Sequence, residues 1–173
     1  MVNSSSTKWF STAQETKIAD TLGWRVVAGS GAMPCNPGDV ESDDWLGECK
    51  THMSNSNSIY FNHDVWEKIK EESMSKRKRP VLITDDGSRD LTKTWCVCLS
   101  HSFDLAGINV LPYTKVTRKN LSFYHHDLYE AIRKYRRTIA DADRIKPCAY
   151  SYKWLDDDIL IMLLDDFKTC CED

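Results

Sequence analysis

With 173 residues and 41% apolar side chains, the chain is ample for one domain and short for two, and it has no apolar run long enough to span a membrane. The net charge of −3 is unevenly spread: Asp156 to Asp173 holds seven acids and the single base Lys168, which leaves the preceding 155 residues at +3. The overall sign therefore does not exclude a nucleic-acid partner. The opening Met1-Val2-Asn3-Ser4-Ser5-Ser6 lacks the charged and apolar regions of a signal peptide, so a cytoplasmic protein is expected.

In chain order, residues 1–10 read as a flexible lead. A first helix is expected from Thr12 to Leu22, with Thr12-x-x-Glu15 as a capping box, Ile18, Ala19 and Leu22 as the apolar face, and Gly23 as the stop. Trp24 to Ala28 reads as a strand, and Gly29-Ser30-Gly31 opens a loop leading to Asp39. Strands follow at Trp45–Thr51 and Ser58–Phe61. Asp64-x-x-Glu67 is expected to cap a second helix running to about Lys76, with Val65, Trp66 and Ile69 inward. Pro80–Thr84 and Thr94–Leu99 read as paired strands, with Asp86-Gly87 as the hairpin signal between them.

A third helix is expected over Phe123–Asp141, with Leu128, Ala131, Ile132, Tyr135 and Ile139 at helical spacing. Ile159–Leu164 fits a buried strand or a helix; its length and branching favour the strand, followed by a short helix after Asp165. The order predicts one α/β domain over residues 1–173, a mixed β-sheet covered by helices, with an acidic end at 156–173.

Seven cysteines show no metal-ligand spacing, and Cys96 and Cys98 sit in an apolar run where a free thiol acts as a small core residue. Reduced thiols are expected rather than a zinc site. The five histidines show no ligand spacing either.

The segment Gly38-Asp39-Val40 followed by Glu48-Cys49-Lys50 carries the chemistry. Residues two apart on a strand point to one face, so Glu48 and Lys50 project together while Cys49 turns inward. With Asp39 beside them, two carboxylates and a lysine form a set that can hold a divalent ion and act on a phosphodiester. Basic clusters at Lys76-Arg77-Lys78-Arg79 and at Arg133-Lys134 with Arg136-Arg137 are suited to phosphate contacts, or are solvated faces. Ser30 sits in a loop whose amides suit a phosphate or simply connect two elements. Tyr124, Tyr129 and Tyr135, near the second basic cluster, are candidates for base stacking.

Glu15, Arg25, Gly29-Ser30-Gly31, Gly38-Asp39-Val40 and Glu48-Cys49-Lys50, in that order, resemble the PD-(D/E)XK nucleases, with closest similarity to archaeal-type Holliday-junction resolvases and their bacteriophage relatives. Ser58-Ile59, Trp66 to Ile69 and Pro80 to Ile83 are similar to the strand, helix and strand that come next in that family. The likeness covers residues 11–99, and Gly38 stands where the family's name has proline.

The resemblance implies a restriction-endonuclease-like fold and a Mg2+-dependent endodeoxyribonuclease, with Mn2+ as a substitute. It implies action on branched or duplex DNA as a homodimer. Asp39, Glu48, the Cys49 backbone carbonyl and Glu15 are the implied metal ligands, Lys50 the catalytic cation, and Arg25 and Ser30 DNA contacts.

Each residue also has a plainer reading. Asp39 fits a turn, Glu48 and Lys50 a solvated strand face, and Glu15 a helix cap; Lys17, round the helix from Glu15, fits an exposed surface lysine. A restriction- or exonuclease-type enzyme, or a non-catalytic binding module of the same fold, stays open on sequence alone.

Overall fold

The structure, a computed structural model, describes residues 4–28, 36–52, 57–88 and 90–172. Helix α1 (Ser4–Leu22) leads to the short strands β1 (Arg25–Val26) and β2 (Val40–Glu41), then to β3 (Trp45–Thr51) and β4 (Ser58–Phe61). Helix α2 (His63–Ser75), β5 (Arg79–Asp85), β6 (Trp95–Leu99), β7 (Asn109–Val116) and β8 (Leu121–Tyr124) follow. Helix α3 (His125–Thr138), β9 (Cys148–Trp154), β10 (Asp157–Leu163) and α4 (Leu164–Glu172) complete the order.

Eight strands form one mixed sheet in the order β1-β2-β3-β5-β6-β10-β9-β7, and β4 pairs with β8 in a separate two-stranded ribbon. The β3–β5 and β7–β9 pairs are parallel and the others antiparallel. A parallel neighbour needs a crossover, and β4 with α2 supplies the one from β3 to β5. This is the mixed sheet covered by helices that the sequence predicts.

Alternation along the strands feeds two cores. Leu46, Leu82, Trp95 and Val97 meet Trp66 and Ile69 of α2 and Leu128 and Ile132 of α3 on one face. On the other, Trp45, Val81, Ile83, Cys96 and Cys98 meet Ile18 and Leu22 of α1 and Phe167 of α4. Strand β5 is buried along almost its whole length, as expected of a strand with both faces covered. Gly47 is a point of close approach: a Cβ there would lie 2.8 Å from Val40 Cγ2 and 3.2 Å from Val81 Cγ1.

Several boundaries differ from expectation. Helix α1 starts at Ser4, so Thr12 is an interior residue whose carbonyl accepts from Thr16 Oγ1, and Thr12-x-x-Glu15 is no capping box. Helix α2 is capped not at Asp64 but by Asn62, whose Oδ1 accepts from the amides of Asp64 and Val65. Asp86-Gly87 opens a long connection to β6 rather than a two-residue hairpin, because Asp85 Oδ1 captures the Gly87 amide at 2.7 Å. Strands β7, β8 and β9 were not foreseen. Pro112 breaks the pattern of β7, and the alternating aromatics Tyr150, Tyr152 and Trp154 are the signal β9 did carry. The acidic end forms β10 and α4, with Phe167 fully buried.

Candidate active site

Pairing between β2 and β3 stops at Val40↔Gly47. Glu48 to Thr51 therefore continue with no partner on that side among the described residues, and the Cys49 amide is open to another acceptor. Gly38 provides it. Its φ of +78° turns the chain in a way a Cβ would obstruct, since that atom would lie 2.7 Å from Leu46 Cδ1. The turn lets the Asp39 amide donate to Gly47 O at 2.8 Å, and the Cys49 amide donates to Asp39 Oδ2 at 2.9 Å. Asp39 thus sits where the next residue of β2 would have been.

Glu48 and Lys50 share the α2/α3 face, while Cys49 is buried on the other, as the alternation predicts. Lys50 Nζ lies 2.6 Å from Glu48 Oε1; Glu48 is nearly buried and the lysine is 42% exposed. Glu15 approaches from α1 on the opposite face, buried, with Oε1 accepting from Ser11 Oγ at 2.9 Å. The open edge of β3 is where the two faces of the sheet communicate.

The electrostatics record that convergence. Burial, with the negative charges of Glu48 and then Glu15, pushes the Asp39 carboxyl up to about 6 against the pull of the Cys49 amide and Lys50. Burial also raises the Cys49 thiol, and the negative charges of Asp39, Glu15, Asp85 and Glu48 act in the same direction. Burial opposes the charge on Lys50, but its contact with Glu48 and the field of Asp39 outweigh it and raise the pKa. Lys50 is a cation at neutral pH.

The donor set suits a hard cation. Asp39 Oδ2 and Glu48 Oε1 are engaged within the protein, which leaves Asp39 Oδ1 and Glu48 Oε2 for an ion. Among the described residues no three His, Cys, Asp or Glu side chains are placed together so as to hold a metal ion. Mg2+ asks for less, because it binds through one or two carboxylates and keeps several waters.

Asp85, Gln14 and Thr51 escaped the sequence reading. Asp85, at the end of β5 opposite Thr51, accepts from Gln14 Nε2 at 2.9 Å through Oδ1 and from Thr51 Oγ1 at 3.0 Å through Oδ2. Gln14 and Asp85 are both buried, so this is the bolt between α1 and the ends of β3 and β5. Asp85-Asp86-Gly87 looks like a turn in sequence; nothing local marks a side-chain contact 71 positions away. Lys17 is half-buried and donates to Gln14 Oε1 at 3.3 Å, rather than standing free on the surface.

The expected DNA contacts are scattered. Lys76 and Lys78 converge on Glu41 at 3.4 and 2.8 Å, and Arg79 donates to Ser102 O at 2.9 Å while lying over the Trp45 ring. These three fix the start of β5, roughly 17 Å along the strand from Thr84 beside Lys50. Arg77 stays exposed at φ +55°. Arg25 is exposed near Glu41 and Asp43. Arg133 pairs with Glu130 at 2.7 Å and Arg136 with Asp166 at 2.9 Å, whereas Lys134 and Arg137 are exposed and unpaired among the described residues. Ser30 and its two glycines lie outside the described residues. Among the described residues no helix is long and apolar enough to cross a membrane.

Comparison of the chain with protein-family models, characterised proteins and solved structures finds no match.

Proposed function

We propose that this protein is a Mg2+-dependent endonuclease that hydrolyses phosphodiester bonds in DNA, and that it is a member of the PD-(D/E)XK superfamily. The observation that carries the reading is the meeting of Glu15, Asp39, Glu48 and Lys50 around the open edge of β3 at Cys49. Packing does not call for three carboxylates gathered at this depth, one of them held protonated up to about pH 6. A divalent cation resolves that repulsion.

Asp39 and Glu48 would hold the ion, with the Cys49 carbonyl and Glu15 within the same cluster. When bound, such an ion supplies an acidified water and stabilises negative charge on the phosphate. Lys50 has the raised pKa of a lysine held as a cation, so it acts as a hydrogen-bond donor and fixed positive charge, not as a general base. Its pairing with Glu48 aims the ammonium across the site. Mn2+ would replace Mg2+ on the same oxygens. Cleavage of both strands of a duplex or of a four-way junction requires two such sites, for which a homodimer is the simplest arrangement.

The test is cleavage of four-way junction, duplex and single-stranded DNA side by side, with Mg2+ and with chelator. Cleavage of any of them that needs Mg2+ and vanishes in Asp39→Ala and Lys50→Ala is the expected result. Cleavage that survives either substitution overturns the site.

A further inference from the structure

The candidate site does not end at β3. Lys50, Thr84 and Trp95 are register partners across β3, β5 and β6, so they stand in one row on the α2/α3 face. Trp95, two strand spacings or roughly 10 Å from Lys50, donates through Nε1 to His125 Nδ1 at 3.0 Å. His125 in turn stacks on Tyr129 of α3, with ring centres 5.6 Å apart and planes 19° from parallel. Thr84, in the middle of the row, donates through Oγ1 to Tyr60 O at 3.3 Å and so pins the β4–β8 ribbon beside it.

That ribbon has two different faces. Ile59, Phe61 and Leu121 are buried and Phe123 packs against the same core. The alternate positions Tyr60 and Tyr124 therefore point outward, on a diagonal set by the register Tyr60↔Ser122 and Ser58↔Tyr124. Tyr124 is 65% exposed and Tyr129 40%, and Tyr60 meets the His52 ring edge-on at 5.5 Å. A single exposed tyrosine is ordinary, whereas several aromatic rings on one surface mark a contact site. Here they lie on one flank of Lys50, with two lysines beside them: Lys50, which pairs with Glu48, and Lys93, whose Nζ lies 3.0 Å from Asn57 Oδ1 just ahead of the ribbon and 3.5 Å from Asp86 Oδ2.

We infer that the outer face of the β4–β8 ribbon, with Tyr60 and Tyr124 extended by Tyr129, is a stacking platform for the unpaired bases of single-stranded DNA passing into the Asp39–Glu48–Lys50 site. The chemistry of the surface selects that occupant. Base faces are available only where the strand is unpaired, aromatic rings bind them without regard to sequence, and flanking cations follow the phosphates. A duplex presents phosphates and base edges instead, and would leave these rings without a partner. The inference rests on the proposed nuclease reading and narrows its substrate to DNA carrying an unpaired strand.

Equilibrium binding tests it without relying on turnover. Fluorescence anisotropy of a labelled oligothymidine of about twelve nucleotides, and of a blunt duplex of the same length, would be recorded in chelator with the full-length protein. Wild type should bind the single strand. Tyr124→Ala, at a position exposed enough to leave folding intact, should weaken that binding about 5- to 100-fold, the effect of losing one base stack. Tyr124→Phe should restore it, since the ring face does the work, and duplex binding should change little in either variant. No single-strand binding by wild type, or affinity unchanged in both Tyr124→Ala and Tyr129→Ala, overturns the platform. Equal weakening for duplex and single strand overturns it as well. A parallel Mg2+ cleavage assay separates the two readings: specific single-strand binding without cleavage of any DNA keeps the platform and defeats the nuclease, and cleavage indifferent to Tyr124→Ala does the reverse.

Discussion

The Cys49 amide donates a 2.9 Å hydrogen bond to Asp39 Oδ2, and this contact replaces the ladder bond that β2 would have made had it continued. An acidic side chain thereby stands in for a strand. It is held by the backbone through Oδ2, which leaves Oδ1 as the oxygen that could hold a metal ion.

Asp39→Asn should separate the structural from the chemical role of that contact. The amide oxygen can still accept from Cys49, so far-UV circular dichroism should be unchanged. The ionic charge is lost, and cleavage in single-turnover assays should fall by about 100-fold or more. Near-normal turnover in this variant would remove Asp39 from the site.

The raised pKa of Asp39 fixes the sign of a stability effect. Between about 3.9, the unfolded value, and about 6 the folded state binds the extra proton, so stability contributed here falls as pH rises through that window. Above it the buried charge costs on the order of 2–3 kcal/mol without a cation. Urea unfolding at pH 4 and pH 7 should show Asp39→Asn gaining on wild type as pH rises. If the difference is flat with pH, Asp39 is not the buried carboxyl described here. Activity should rise through the same region, shifted lower at saturating Mg2+ because the ion favours the ionised form.

Metal addition gives an independent reading. Ligands that bind only the folded state raise its melting temperature with concentration. Mg2+ and Mn2+ should do so for wild type, far less for Asp39→Asn or Glu48→Gln, and normally for Lys50→Ala. Ca2+ should stabilise without supporting cleavage, since its longer and looser coordination misplaces the reacting groups. Full activity in excess chelator would end the metal assignment.

The Asp85 bolt should matter for stability and, through α1, for chemistry. Asp85→Ala leaves buried Gln14 with only its 3.3 Å contact to Ser88 O and half-buried Thr51 without this acceptor, at a total cost of about 1–3 kcal/mol. Chemical denaturation should show that loss. Cleavage measured well below the new melting temperature should also drop, because Glu15 rides on the helix that Asp85 anchors. Cleavage that follows folded fraction alone would limit Asp85 to a structural part.

Lys76 and Lys78 should prove structural. Both point at Glu41 in partly buried pairs, which contribute on the order of 1 kcal/mol each. Their double alanine variant should lose a little stability and keep the salt dependence of DNA binding, whereas Lys134→Ala with Arg137→Ala should flatten that slope by about one unit per lost phosphate contact. The opposite pattern would put the DNA path at the start of β5.

What the sequence determined by itself was local. The alternation Glu48-Cys49-Lys50, the apolar periodicity of α1, α2 and α3, and the buried character of β5 and β10 all follow from side-chain spacing within a few residues, and each stands where it was expected except in α3, where Ala131 is exposed and Ile139 lies past the helix end. The helix starts were misjudged because several residues competed to cap them, and only the finished backbone chose Asn62 over Asp64. Tertiary structure alone decided that β2 ends at Gly47's partner and leaves Cys49 open, that Asp85 reaches Gln14, and that Glu41 takes up two lysines of the basic run. It also set Tyr124 and Lys50 on the same flank, through the β3–β5 and β4–β8 registers and the Thr84–Tyr60 bond between them, none of which is local in sequence. Periodicity reports which side of an element is buried, because burial is a property of the element. It carries nothing about which distant element arrives there, and a charged side chain reads alike whether it meets water, a phosphate or another carboxylate.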